Sequence, residues 1–176
     1  MSATLWDMVR SLGVMAVVVA LTLIFVPGLL HPSKSQRFAA VSYSDYTAGF
    51  KQVTGIDALV PTGLGPKWYA NSANLKYAGK HAHLHIGWVT PTKDYAALEE
   101  SNSPANAFIE SVLGSRGLTV TSKHYMNGVA WDRRVSANGE RSLTCTVGKV
   151  TVVITGSASE TQDDILAAAL HVGRAV

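Results

Sequence analysis

His81-Ala82-His83-Leu84-His85-Ile86-Gly87-Trp88-Val89 decides the fold. Ala82, Leu84, Ile86 and Trp88 alternate with His81, His83, His85 and Gly87. Successive side chains on a strand point to opposite faces, so this period of two gives one apolar face and one histidine-bearing face. A helix would scatter the same apolar residues around its axis. Pro91, which has no amide hydrogen to donate to a ladder, closes the strand. Residues 95–99 (YAALE) read as the returning strand of a hairpin.

Toward the N-terminus, residues 68–77 alternate loosely and predict a strand before this one. Residues 61–66 (PTGLGP) form a turn-rich connector. Ser44 is placed to cap a helix over residues 45–53. Tyr46, Phe50 and Val53 recur there at helical spacing, and Gly55 stops it. Toward the C-terminus, Ser103-Pro104 starts a second helix, since proline is tolerated in a first turn. Ala105, Phe108, Ile109, Val112 and Leu113 supply its apolar stripe, and Gly114 ends it. Residues 118–123, 129–136, 141–147 and 150–155 read as further strands. Asn138-Gly139 marks a tight hairpin, because both turn positions need positive φ. Ser159 with Gln162 forms a capping box for a last helix that buries Ile165, Leu166, Ala169 and Leu170.

Residues 12–30 (LGVMAVVVALTLIFVPGLL) contain no charged side chain. As a helix they reach roughly 28 Å, the hydrocarbon thickness of a bilayer. Asp7 and Arg10 bound the run on one side, and His31, Lys34 and Arg37 on the other, with Trp6 at an interfacial position. A cleaved signal peptide has a shorter apolar core and a small-x-small site. Ala39-Ala40 is preceded by Phe38 instead. The expected organisation is a tail and transmembrane anchor over residues 1–30, a tether over 31–40 and an extracytoplasmic domain over 41–176. The expected fold class is α+β: an N-terminal single transmembrane helix followed by an antiparallel sheet of about six strands, with two to three helices packed on one face. The lipid bilayer is then the partner of residues 12–30. The location is the plasma membrane, single-pass, with the C-terminal domain outside the cytoplasm. Gly13, Ala16 and Ala20 fall roughly on one face of the anchor, where small residues let a partner's helix approach.

Composition excludes several classes. The chain has 176 residues, 47% hydrophobic and 15% charged, too apolar for disorder. A net charge of +3 without a basic stripe gives no footprint for nucleic acid. A single cysteine, Cys145, rules out an internal disulfide and reads as a small core hydrophobe.

The segment HIGWVTPTKDYAALEESN (residues 85–102) resembles an actinobacterial membrane-anchored family, domain of unknown function 4245. DMVRSL (7–12), GPKW (65–68), NGVAWDRR (127–134) and VVITGSAS (152–159) extend the likeness over nearly the whole chain, which departs from it in carrying only Arg10 before the apolar run. The resemblance implies an exported, single-span envelope protein. It implies no catalytic residues and no ligand.

His81, His83 and His85 carry the most specific chemistry. Two imidazoles on alternate strand residues can chelate one Zn²⁺ or Cu²⁺, with His124 or a carboxylate as third ligand. The competing reading is a plain solvent face. Glu99 and Glu100 point to opposite faces, so they cannot flank one bond, and read as solvated strand ends. No Gly-x-Ser-x-Gly elbow is present. Trp68, Trp88 and Trp131 read as packing residues rather than a ligand groove, and Arg133-Arg134 as a surface pair. The expectation is a protein that is not an enzyme and needs no cofactor: a binding module or accessory subunit meeting another membrane or envelope protein. The alternative is a metal-binding envelope protein using His81, His83 and His85.

Overall fold

The structure is a computed structural model that describes residues 39–114, 119–135 and 139–170, with Gly13 and Met15 ahead of them. The chain divides into two units, Met1–Phe38 and Ala39–Val176. In the second unit, α1 (Ser44–Thr54) precedes β1 (Tyr69–Ala78), β2 (His81–Val89) and β3 (Tyr95–Ser101). After α2 (Ala105–Leu113) come β4 (Thr119–Met126), β5 (Val129–Val135), β6 (Arg141–Val147), β7 (Val150–Gly156) and α3 (Glu160–Ala169). The strands form one antiparallel sheet in the order β1-β2-β3-β7-β6-β5-β4.

The period-two reading of residues 81–89 holds. Ala82, Leu84, Ile86 and Trp88 face a core shared with Leu98, Trp131, Leu143, Val152 and Ile154. Phe50 of α1 and Leu166 of α3 cover that core. The α+β class stands, with two corrections. The sheet has seven strands rather than about six. The helices do not share one face: α2 sets Phe108 and Ile109 on Val153, on the reverse side, with the Phe108 ring edge-on to His83 at 5.0 Å. Parity explains this, since Val153 alternates with the core residues Val152 and Ile154.

Smaller departures have local causes. Ser44 is the first residue of α1 rather than its cap; the cap position is Tyr43, without a capping side-chain bond. Ser159 caps α3 by accepting from the Gln162 amide, but the expected capping box stays half closed, because the Gln162 side chain donates to Thr92 Oγ1 instead of reaching back to Ser159. Ile165 is 46% exposed while Ala167 is buried, so the α3 stripe is rotated from the expected one. Arg133 and Arg134 are not a surface pair. Arg133 reaches through the core face to Glu160 (2.8 Å) and Asp164 (2.7 Å) of α3. Arg134 donates to Thr144 Oγ1 on the other side.

β1 carries a bulge. Ala70 pairs with Trp88, but Ser72 pairs with Gly87, so Asn71 is the extra residue. A bulge switches the faces of everything beyond it. Ser72, Asn74 and Lys76 consequently lie on the face of His83 and His85, while Leu75 packs against the core.

Among the described residues no helix is long and apolar enough to cross a membrane. The expected anchor over residues 12–30 lies outside the described residues, apart from Gly13 and Met15, which are helical. Ala16, Ala20 and Asn138 lie outside them too.

Candidate functional site

The reverse face of β1, β2 and β3 concentrates the polar chemistry. The β2–β3 hairpin turns through residues 90–94, where the Thr90 amide donates to the Asp94 carbonyl. That turn sets the register that puts His85 opposite Glu99 and His83 opposite Ser101. Glu99 therefore stands between two imidazoles. His85 Nδ1 lies 2.6 Å from Glu99 Oε1, and His83 Nε2 lies 2.7 Å from Glu99 Oε2. Glu99 is 8% exposed. Burial pushes its carboxyl up, but the hydrogen bonds and charge of His83 and His85 outweigh it, and the net displacement is downward. An ionised carboxylate only accepts, so both facing ring nitrogens donate. Neutral His85 is thereby fixed with its hydrogen on Nδ1 and a lone pair on Nε2.

That lone pair meets two hydroxyls. Ser72 Oγ and Tyr95 Oη each lie 3.2 Å from His85 Nε2. Gly87 makes room for them: a Cβ there would stand 2.2 Å from Ser72 Oγ and 2.6 Å from Tyr95 Oη. Burial holds the Tyr95 phenol above its usual value, so it keeps its proton. Beside His85 lies an open groove of about 240 Å³ lined by Asn74, Lys76, His83, His85 and Glu99.

The three expected metal ligands separate. His83 and His85 share Glu99, whereas His81 is exposed at the start of β2, opposite Ala78. His124 sits on β4, at the far edge of the sheet, 3.0 Å from Ser122 Oγ. Among the described residues no group of three His, Cys, Asp or Glu side chains is arranged to hold a metal ion.

The two glutamates overturn the solvated-end reading. Glu100 faces the core at 0% exposure, accepts from the Leu59 amide at 2.9 Å, and has no partner on Oε1. Burial pushes its carboxyl up to about 8. Cys145 is the expected core hydrophobe. Burial, with Glu100 and Asp132 adding to it, raises its thiol to about 12, so it stays protonated and unreactive. Trp68, Trp88 and Trp131 are core residues.

Sequence reasoning singled out His83 and His85 but missed Glu99, Ser72, Tyr95 and Lys76 as their company. The hairpin register was a usable signal for Glu99. The bulge that delivers Ser72 and Lys76 has none, since YANSANLKYA reads as loose alternation in either register.

The family model described as a protein of unknown function, DUF4245, matches residues 1–170. No curated protein and no solved structure matches the chain.

Proposed function

The chain belongs to the DUF4245 family of proteins of unknown function, and from that premise we propose that it is a membrane-tethered extracytoplasmic binding module, an accessory subunit of an envelope membrane complex. The observation that carries the binding part is the groove on the reverse face. It is open, polar and floored by a buried carboxylate clamped between two imidazoles, with Lys76 and Asn74 at its rim. Rigid polar groups beside an open concavity are how binding sites fix the orientation of a partner. The charge-free run of residues 12–30 supports the tether, and the bounding charges support a single span. On this reading the module contributes by holding a partner and needs no cofactor to do so. The anchor meets a neighbouring helix through Gly13, Ala16 and Ala20. The metal-binding alternative gains nothing from this geometry, because a cation on His83 and His85 must first displace their bonds to Glu99.

The test is photo-cross-linking in the native membrane. A photoreactive residue replaces Lys76, and a second variant carries one at Gly13. The expected result is a stoichiometric protein partner captured from both positions and identified by mass spectrometry. Failure to capture a stoichiometric partner from either position overturns the accessory reading.

A further inference from the structure

We propose that Ser72, His85 and Glu99 form a nucleophile–base–carboxylate relay, and that an ester or activated acyl group lying along the groove presents its carbonyl beyond the His85 end, to Ser72 Oγ, which stands next to His85 rather than in the groove lining. This goes beyond the binding reading, since a module that only holds a partner has no need of an activated serine, and it stands independently of the tether.

The geometry meets the three demands of such a relay in order. The nucleophile touches the base: Ser72 Oγ is 3.2 Å from His85 Nε2, within the range of a pair that tightens once substrate is bound. The base is oriented: His85 Nδ1 lies 2.6 Å from Glu99 Oε1, which turns Nε2 toward the hydroxyl and makes it the lone-pair nitrogen of the neutral ring. The orienting carboxylate is itself held, because its other oxygen is engaged by His83 at 2.7 Å. A solvent-facing polar strand has no reason to satisfy all three. Nor does it need the bulge at Asn71, which puts Ser72 on this face, or a glycine at position 87, which alone leaves space for Ser72 Oγ and Tyr95 Oη over the imidazole.

The step balances as follows. Ser72 Oγ bonds to the acyl carbon as its proton passes to His85 Nε2. The imidazolium so formed is stabilised by the Glu99 carboxylate. Negative charge builds on the carbonyl oxygen, for which the Tyr95 hydroxyl is the neighbouring donor once it turns from His85 Nε2. The carbon–oxygen bond to the leaving alkoxide then breaks, and His85 returns the proton to it as the alcohol departs. Water, deprotonated by the same imidazole, releases the acid and regenerates Ser72. Lys76 lies four residues along the same face, about 13 Å from Ser72 at strand rise, and favours acyl donors with an anionic group at that distance.

The experiment uses the full chain in mild detergent and a fluorophosphonate probe. Ser72 Oγ attacks phosphorus, fluoride leaves, and the serine proton reaches solvent through His85. Peptide mapping reads which serine carries the phosphonate, and how fast. The expected result is one adduct per chain, on Ser72, formed at least ~100-fold faster than on any other serine, as a positioned general base provides. His85→Gln removes that advantage, and Glu99→Gln changes the pH profile of labelling. No preferential adduct on Ser72 in the folded chain overturns the proposal, as does a Ser72 rate unchanged by His85→Gln. If His85→Gln fails to fold, the wild-type chain decides on its own: a Ser72 rate at least ~100-fold above every other serine and lowered in heavy water, as proton transfer to a base requires, upholds the relay, and a Ser72 rate equal in light and heavy water overturns it. Ser72→Ala abolishes the adduct and leaves cross-linking from position 76 intact, which separates failure of the relay from failure of the binding reading.

Discussion

Replacing Glu100 by glutamine isolates one buried proton. The folded chain keeps the Glu100 proton until about pH 8, whereas the unfolded chain releases it near 4.5. The folded value is raised, so the unfolded state binds fewer protons between these limits, and stability falls as pH rises through the window. Each unit of displacement corresponds to about 1.4 kcal/mol. Allowing for curvature at both ends, the loss between pH 5 and pH 8 is on the order of 3 kcal/mol. Glutamine fills the same space and cannot titrate. Its amide hydrogens lack acceptors in the core, which lowers the baseline by about 1–3 kcal/mol independently of pH. The two unfolding energies therefore differ by an amount that grows in favour of Glu100→Gln by about 3 kcal/mol from pH 5 to pH 8. Asp163, raised to about 7 chiefly by burial, adds a slope of the same sign to both proteins and cancels in the difference. The assay is urea unfolding of the full chain in mild detergent, followed by the fluorescence of buried Trp68, Trp88 and Trp131. A difference between the two proteins that stays constant across that range refutes the reasoning and means that Glu100 is ionised in the fold.

Three further outcomes follow from other contacts. Gly87→Ala forces a methyl group against Ser72 Oγ and Tyr95 Oη, and should cost about 1–3 kcal/mol in thermal or urea unfolding while abolishing fluorophosphonate labelling of Ser72. Arg133→Ala removes a guanidinium that ties α3 to β5 through Glu160 and Asp164; with those partners half exposed the expected loss is about 2 kcal/mol, and a value near zero would show that the helix is held by Leu166 packing alone. Glu99 is displaced downward on folding, so it adds stability above about pH 4.5 that disappears as pH falls through its folded value; Glu99→Gln should flatten the acid limb of the stability curve, and an unchanged limb in urea midpoints taken from pH 5 down to pH 3 would contradict the clamp.

Much of the sheet could be read from residue order because its signals are local. Alternation in residues 81–89 fixed β2 to the residue, and β6 also runs over the expected residues 141–147. Helix positions followed from apolar spacing and stop signals. Sidedness did not. Which face α2 covers depends on Val153, a residue whose partner lies 45 positions away, and no local pattern carries that. The site was half legible for the same reason. His83 and His85 announced a shared polar face, but charge pairing across strands depends on register. The solvated reading of Glu99 and Glu100 rested on the rarity of fully buried carboxylates, and it failed because each has found a way to be buried. One is clamped by imidazoles, and the other is stored with its proton. Ser72 was hidden by a bulge, and a bulge adds one residue without adding a signal.

The strand order has a consequence for how the chain reaches this state. β1, β2 and β3 are neighbours in space in the order of the sequence, and so are β4, β5, β6 and β7; only the β3–β7 ladder joins the two groups. Each group closes through successive hairpins and can zip locally, at the microsecond pace of hairpins. The seam between them closes a loop of some fifty residues, and local order must wait for that long-range step before either group gains a neighbour. The relay residues Ser72, His85 and Glu99 all belong to the first group, so their alignment needs no strand of the second. The core beneath them does, since Val152 and Ile154 arrive only with the seam. Assembly of the site and its solidification are thus separate events along the folding path.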